Sequence, residues 1–94
     1  MKTIYKYEFS LEDVEHAVTV WMPKGARIVS VGSQRPHHVC LWTIVNSKVN
    51  NKVGRPFRVY GTGDPMLESD GPQNFLGTVL DGPLVWHVFG DRDG

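Results

Sequence analysis

Short runs in which hydrophobic and polar residues alternate are the feature that most restricts the fold of this chain. In the first run, Tyr5, Tyr7 and Phe9 share one face of an extended segment, and the residues between them share the other. Glycine, proline and asparagine separate the runs, and no run continues with the spacing of an amphipathic helix. The pattern therefore favours an all-β fold.

The apolar runs predict where the strands lie. We expect strands at 4–9, 17–22, 27–31, 38–45, 57–60, 75–80 and 84–89. The run at 38–45 is nearly all apolar, as is typical of a strand covered on both faces. The spacing predicts one domain over residues 1–94, an antiparallel β-barrel or sandwich of six to seven short strands with little or no helix. We expect the tail at 90–94 to be frayed.

Turn residues predict how some of these strands are connected. Pro23 and Gly25 fit a type I turn over 22–25, which predicts a hairpin spanning 17–31. Asp81-Gly82 between two apolar runs predicts a hairpin with a type I′ turn. The segment 46–56 is predicted to be a polar, basic connection. The loop from Gly61 to Gln73 is long for so small a domain, and such loops often carry function.

Charge is distributed unevenly although the net charge is zero. The first 15 residues hold two lysines and four acids, residues 16–63 hold seven basic residues and no acid, and residues from 64 onward hold one arginine and six acids. Neighbouring strands can neutralise these signs, or the basic segment can form a face that attracts an anionic ligand or partner. The zero net charge disfavours general coating of nucleic acid.

The remaining composition points to a cytosolic chain. No apolar run has the length of a membrane span, and the N-terminus does not resemble a signal peptide. The single cysteine, Cys40, excludes an internal disulfide and is expected to be a small buried hydrophobe. Adjacent His37 and His38 point to opposite faces if extended, so the pair makes a poor two-point chelate, although with His16 it could form part of a site. We expect no metal and no cofactor.

A candidate ligand site is predicted at the end of the strand 57–60. Arg58, Tyr60 and Thr62 share one face there, beside Gly61 and Gly63. These glycines either turn the chain at positive φ or form a nest of backbone N–H groups for a phosphate or carboxylate. His87, inside an apolar strand, is either a hydrogen-bonded core residue or a polar contact in a pocket. A ligand-binding protein would gather Arg58, Tyr60, Thr62 and His87 around one concavity.

A candidate partner site is predicted around Trp21. This tryptophan lies opposite in parity to the apolar residues of its strand, so we expect it to be exposed, with Lys24 and Arg27 nearby. An aromatic ring beside basic groups suits a nucleotide or an acidic protein patch. Alternatively, Trp21, Trp42 and Trp86 serve core and rim packing.

Several motifs along nearly the whole chain resemble a known family. They are Ile-Tyr-Lys-Tyr at 4–7, Met-Pro-Lys-Gly-Ala at 22–26, Cys-Leu-Trp at 40–42, Tyr-Gly-Thr-Gly at 60–63, Phe-Leu-Gly-Thr-Val at 75–79 and Leu-Val-Trp-His-Val-Phe at 84–89. Together they resemble a family of small uncharacterised proteins of tailed bacteriophages and prophages. In that family a histidine follows Tyr-Gly-Thr-Gly, where this chain has Asp64. The resemblance implies a phage accessory protein acting in the bacterial cytoplasm.

Three functional hypotheses follow from these features. The first is a non-enzymatic, homo-oligomeric protein that sequesters an anionic small molecule, such as a signalling nucleotide, to counter host defence. The second is a protein-interaction module that inhibits a bacterial defence complex, or a virion or assembly component. The third is a small hydrolase that uses His87 with an acid such as Asp64.

Overall fold

All seven predicted strands form, and they pair into two antiparallel sheets that face each other. The computed structural model describes residues 1–13 and 17–94. The strands are β1 (Lys2–Ser10), β2 (Ala17–Pro23), β3 (Arg27–Gly32), β4 (His38–Asn46), β5 (Lys52–Gly61), β6 (Phe75–Asp81) and β7 (Leu84–Gly90). Sheet A has the order β1-β4-β3, and sheet B has the order β2-β5-β7-β6. The predicted all-β fold is confirmed, as a β-sandwich.

Helical structure in the described residues is limited to two short 3₁₀ turns, at Leu11–Asp13 and Pro72–Asn74. The first follows Ser10, whose hydroxyl accepts a hydrogen bond from the Glu12 N–H at 3.2 Å. Within the described ranges, no helix has the length and apolar character needed to cross a bilayer.

The core lies between the sheets and is built from every second residue of the strands. Its largest fully buried side chains include Phe57, Met22 and Leu41. The core cluster is Met22, Ala26, Ile28, Val39, Leu41, Val45, Phe57, Val59, Leu76, Val79 and Val88. Cys40, in the central strand of sheet A, is fully buried, as the sequence predicts. This burial of alternating apolar side chains is the main force that holds the two sheets together.

The predicted hairpin over 17–31 is wrong. β2 pairs with β5 and β3 pairs with β4, so the turn between β2 and β3 connects the two sheets. The turn also lies one residue later than expected, because the Ala26 N–H bonds the Pro23 carbonyl at 3.1 Å. Gly25 is therefore its third residue, and its φ of +86° is the value that a type II turn requires there.

Strand β5 begins at Lys52, within a segment predicted to be a polar loop. Its alternation places Arg55 on the inner face, and that charge hid the strand pattern from sequence reasoning. The Arg55 guanidinium is buried and donates hydrogen bonds to the carbonyls of Ala26, at 2.5 Å, and Asp91, at 2.7 Å. The inward charge is thus satisfied by backbone oxygen atoms.

The hairpin between β6 and β7 is confirmed, but its predicted turn type is wrong. Asp81 pairs with Leu84, which leaves a two-residue connection of Gly82 and Pro83. A type I′ turn needs positive φ at both positions, and the proline ring holds φ near about −65°. Gly82, with φ of +56°, occupies the first position, as in a type II′ turn.

The C-terminal tail, which the sequence predicts to be frayed, forms backbone contacts with β3 in the structure. The Ile28 N–H donates to the Arg92 carbonyl at 2.8 Å, and the Arg92 side chain donates to the Ile28 carbonyl at 3.0 Å. Arg27 and Asp93 also form a β-bridge. The tail therefore pairs with the outer edge of β3, because that edge has free backbone groups to satisfy.

Candidate binding groove

Sheet B positions a buried polar network on its outer face. Alternation along β5 directs Arg58 and Tyr60 outward, and the loop that follows β5 brings Asp70 over them. The Arg58 Nε lies 2.8 and 2.6 Å from the two Asp70 oxygens, and the Tyr60 hydroxyl donates to Asp70 Oδ2 at 2.5 Å. Asn74 Nδ2 donates to Oδ1 at 2.7 Å. Three donors therefore converge on one carboxylate.

The charge on Asp70 is stabilised by these donors. Burial acts to raise the pKa of Asp70, but the hydrogen bonds from Arg58, Tyr60 and Asn74 outweigh it and hold the pKa below its ordinary value. Burial and the hydrogen bond to Asp70 raise the pKa of Tyr60, so its phenol remains a donor. Asp70 thus neutralises the Arg58 guanidinium at neutral pH.

The loop over this network forms a groove on either side of Met66. One lobe has a volume of about 270 Å³ and is lined by Ala17, Arg58, Tyr60, Pro65, Met66 and Leu67. The other has a volume of about 490 Å³ and is lined by Met66, Asp70, Gly71, Pro72, Phe75 and Phe89. Phe89 packs edge-on against Tyr60 at 5.6 Å between ring centroids and forms part of the floor. The groove is thus mostly apolar, and its polar groups bond one another.

Met66, Leu67 and Phe75 are large hydrophobic side chains of the groove that are exposed to solvent. Their exposed fractions are 43%, 58% and 40%. Met66 separates the two lobes, so rotation of its unbranched side chain would change the shape of both. Aromatic rings and methionine around a concavity are typical of surfaces that bind other proteins.

His87 and Thr62 belong to a second polar cluster on the outer face of sheet B. His87 lies on β7, the strand next to β5. His87 pairs directly with Tyr60 across β5 and β7. Its Nε2 lies 2.8 Å from the Thr62 hydroxyl, and its Nδ1 lies 3.1 Å from the Thr78 hydroxyl. Both ring nitrogens therefore have hydroxyl partners. The outer face of sheet B brings all four predicted ligand residues together, but in two separate hydrogen-bonded groups.

The turn that contains Gly61 and Gly63 is closed by the side chain of Asp64. The Gly61 N–H donates to Asp64 Oδ2 at 2.8 Å, and the Asp64 N–H donates to the Gly61 carbonyl at 3.0 Å. Gly63, with φ of +93°, supplies the conformation that L side chains rarely adopt. An internal carboxylate thus occupies a backbone donor that an anion would have used in the predicted nest.

The predicted partner residues lie around the turn between β2 and β3. Trp21 is 65% exposed, as its parity predicts, and its ring lies over Gly54 of the neighbouring strand. Lys24 is exposed in the turn. Arg27 is exposed and pairs with Asp93 at 3.2 Å. Surface pairs of this kind contribute little to stability.

A model of a domain of unknown function, DUF7352, matches residues 1–94. The chain belongs to the DUF7352 family. Comparisons with curated proteins and with solved structures found no match.

The DUF7352 domain holds functional candidates that sequence reasoning missed. Asp70 and Met66 lie in the long loop, whose sequence has no periodicity to show what each residue faces. The length of the loop is the one sequence signal that indicates a functional role for it. In the part of the DUF7352 domain that the structure describes, no group of three or more His, Cys, Asp or Glu residues is placed to hold a metal ion. His16 lies outside the described residues.

Proposed function

We propose that the chain is a non-catalytic binding protein whose groove around Met66 receives apolar side chains of a partner protein. The observation that carries the proposal is the combination of exposed Met66, Leu67 and Phe75 with internally paired charges in the groove. Protein interfaces are enriched in aromatic residues and methionine and depleted of charge at their centre. The two lobes have room for large side chains of a partner.

Sequestration of an anionic small molecule receives less support from this geometry. Asp70 neutralises Arg58, and Asp64 occupies the Gly61 N–H. A phosphate would therefore meet two carboxylates beside the donors it needs, which is unfavourable. Binding of a signalling nucleotide remains a prediction.

A hydrolase based on His87 also receives less support. Both of its ring nitrogens face threonine hydroxyls, and Asp64 bonds backbone rather than His87. A triad needs the histidine to be oriented by an acid on one nitrogen while the other faces the nucleophile.

The resemblance to proteins of tailed bacteriophages suggests the biological setting of this binding. In that setting the chain acts in the cytoplasm of the infected bacterium. The partner is then a host protein, such as a component of a defence complex, or a phage protein of virion assembly. The setting rests on resemblance alone, because fold does not determine function.

A photo-crosslinking residue at position 67 would test this proposal in bacterial cells. The matched control is the same residue at position 4, because Ile4 is 61% exposed and Leu67 58%, and Ile4 lies on β1 of the other sheet. The partner captured from position 67 is then purified. We expect Leu67→Glu to weaken its binding at least about tenfold, and Ile4→Glu to leave it unchanged.

Three outcomes would contradict the proposal. The first is the same partner captured from positions 4 and 67. The second is undiminished binding of that partner to Leu67→Glu. The third is saturable binding of a nucleotide that Leu67→Glu abolishes, which would favour sequestration in the same groove.

A further inference from the structure

In the part of the chain that the structure describes, β2 is the edge strand with neither a charged side chain nor a register shift. β1 carries Lys2, Lys6 and Glu8. β3 and β6 each contain a register shift, and the C-terminal tail bonds β3 at Ile28. β2 pairs with β5 in unbroken register over Ala17–Pro23 and has no charged residue. Charges, prolines, bulges and covering segments are the usual means by which proteins block pairing at a sheet edge, and β2 has one of these, Pro23 at its last position.

The side chains of β2 are also incompletely covered. Val18 and Val20 pack against the core but are only partly buried. On the outer face, Thr19 is exposed, and Trp21 is 65% exposed. An added strand would cover the two valines on the inner side and give the Trp21 ring a neighbour on the outer side. The edge therefore offers apolar contact in addition to backbone hydrogen bonds.

We propose that β2 pairs with β2 of a second copy, antiparallel about a two-fold axis near Val20. The two four-stranded sheets would then form one continuous sheet of eight strands. In this register each Trp21 lies opposite the second copy's Thr19, and the two Trp21 rings are diagonal neighbours. Of the residues of β2, Ala17 lines the groove around Met66, whereas Thr19 and Trp21 do not, so the two proposals can be tested at different residues.

Charge at the two ends of β2 favours an antiparallel second copy over other occupants. Glu12 precedes the strand, in a segment of the sequence with no basic residue after Lys6 and before His16. Lys24 follows the strand, and Lys52 lies opposite its last residue, Pro23. Antiparallel pairing brings the end of β2 that Glu12 precedes in one copy towards the end with Lys24 and Lys52 in the other. Parallel pairing would bring like charges together.

The oligomeric state of the full chain tests the proposal. We expect sedimentation velocity to show a monomer–dimer equilibrium with a dissociation constant on the order of micromolar, because an interface of one strand is small. Trp21→Lys and Thr19→Lys should each raise this constant at least about 30-fold. The matched control is Leu80→Lys, since Leu80 is 73% exposed on β6, the other edge strand of the same sheet. It should leave the constant unchanged.

A mixing experiment keeps the test valid if a single variant folds poorly. Thr19→Lys and Thr19→Glu should each be monomeric alone and should form a heterodimer when mixed. A wild-type chain that stays monomeric up to about millimolar concentration would overturn the proposal. So would a dimer that Leu80→Lys disrupts as strongly as Trp21→Lys, or one that tolerates Thr19→Lys. Leu67→Glu should leave the dimer intact, which separates this result from a failure of the proposed groove.

Discussion

An arginine–carboxylate pair ties a loop to the outer face of each sheet, but only one of the pairs is buried. On sheet A, Arg35 of the loop after β3 lies 2.6 Å from Glu8, and their side chains are 61% and 21% exposed. On sheet B, Arg58 of β5 lies 2.6 Å from Asp70 of the long loop, with side chains 19% and 0% exposed. The two pairs have similar distances and different surroundings.

The difference in burial decides what each pair does. Water and salt screen Arg35 and Glu8, and such exposed pairs add little to stability. Asp70 is shielded from water and also accepts hydrogen bonds from Tyr60 and Asn74. Removal of one partner there leaves a buried charge and buried donors unsatisfied. The buried pair therefore fixes one wall of the groove, whereas the exposed pair lies on the surface of sheet A and adds little to its stability.

The largest effect is expected for Asp70→Asn. It removes the negative charge but keeps the shape, so Arg58 loses its counter-charge inside the groove. We expect the free energy of unfolding to fall by about 3 kcal/mol, measured by urea denaturation at neutral pH. Equal losses for Asp70→Asn and Glu8→Gln would show that burial does not distinguish the two pairs.

The pH dependence of the free energy of unfolding should also show the contribution of the buried Arg58–Asp70 pair. The pKa of Asp70 is lowered in the folded state, so the folded chain binds this proton less tightly than the unfolded chain, in which the pKa is about 3.9. Its stabilisation is therefore complete above the unfolded pKa and is lost as the pH falls through the lower, folded pKa.

We expect the difference in unfolding free energy between the parent chain and Asp70→Asn to be constant between about pH 6 and 8 and to shrink below about pH 4. The series should be measured in a Glu8→Gln background. The hydrogen bond from Arg35 lowers the pKa of Glu8 too, and that group would otherwise titrate in the same range. A difference that grows with acidity would contradict the expected direction.

A smaller loss is expected for Tyr60→Phe. The substitution removes the hydroxyl that donates to Asp70 and accepts the Leu67 N–H at 3.3 Å, but leaves the ring packed on Phe89. Since Arg58 and Asn74 still bond Asp70, we expect a loss of about 1 kcal/mol in urea denaturation. A loss as large as that of Asp70→Asn would mean that the phenol, not the guanidinium, holds the loop.

Much of the fold follows from the alternation of residues. The two-residue period located every strand and gave the orientation of Trp21, because burial of one face selects side chains along each strand. The pairing of β6 with β7 followed from its short turn, but the partners of β2 and β3 did not, since the turn after Pro23 looks the same whether it joins neighbours in one sheet or crosses between sheets. The charge of Arg55 also hid the first half of β5, because its satisfaction by the Ala26 and Asp91 carbonyls is a tertiary contact.

The site followed from the sequence only where strands carry it. Arg58 and Tyr60 share a face by parity, whereas the pairing of β5 with β7 that places His87 beside Tyr60 is a finding of the structure. Asp70, however, reaches Arg58 through a loop whose conformation depends on contacts distant in the chain. The sequence therefore indicates Arg58 as a candidate to bind an anion, while the structure pairs Arg58 with the internal carboxylate of Asp70.

The smallest loss of stability is expected for Glu8→Gln, which removes the carboxylate of the exposed pair on sheet A. Arg35 loses its partner but remains in water, so we expect the urea midpoint to stay within the error of repeated measurements. A small shift at low salt should vanish at about 1 M NaCl, where the Debye length is about 3 Å. The loss in Asp70→Asn should persist at that salt, because the buried pair is poorly screened.

Glu8→Gln also has a readout that is independent of stability. Burial raises the pKa of Cys40, and the hydrogen bond from its Sγ to Glu8 Oε2, at 3.4 Å, raises it further. Without the carboxylate charge, we expect this pKa to fall part of the way towards its ordinary value. The NMR chemical shift of the Cys40 Cβ, followed from about pH 7 to 10, would measure the change without access of a reagent to the buried thiol. If the pKa of Cys40 changes and the urea midpoint does not, the Arg35–Glu8 pair influences the proton affinity of the Cys40 thiol and makes no measurable contribution to the free energy of unfolding.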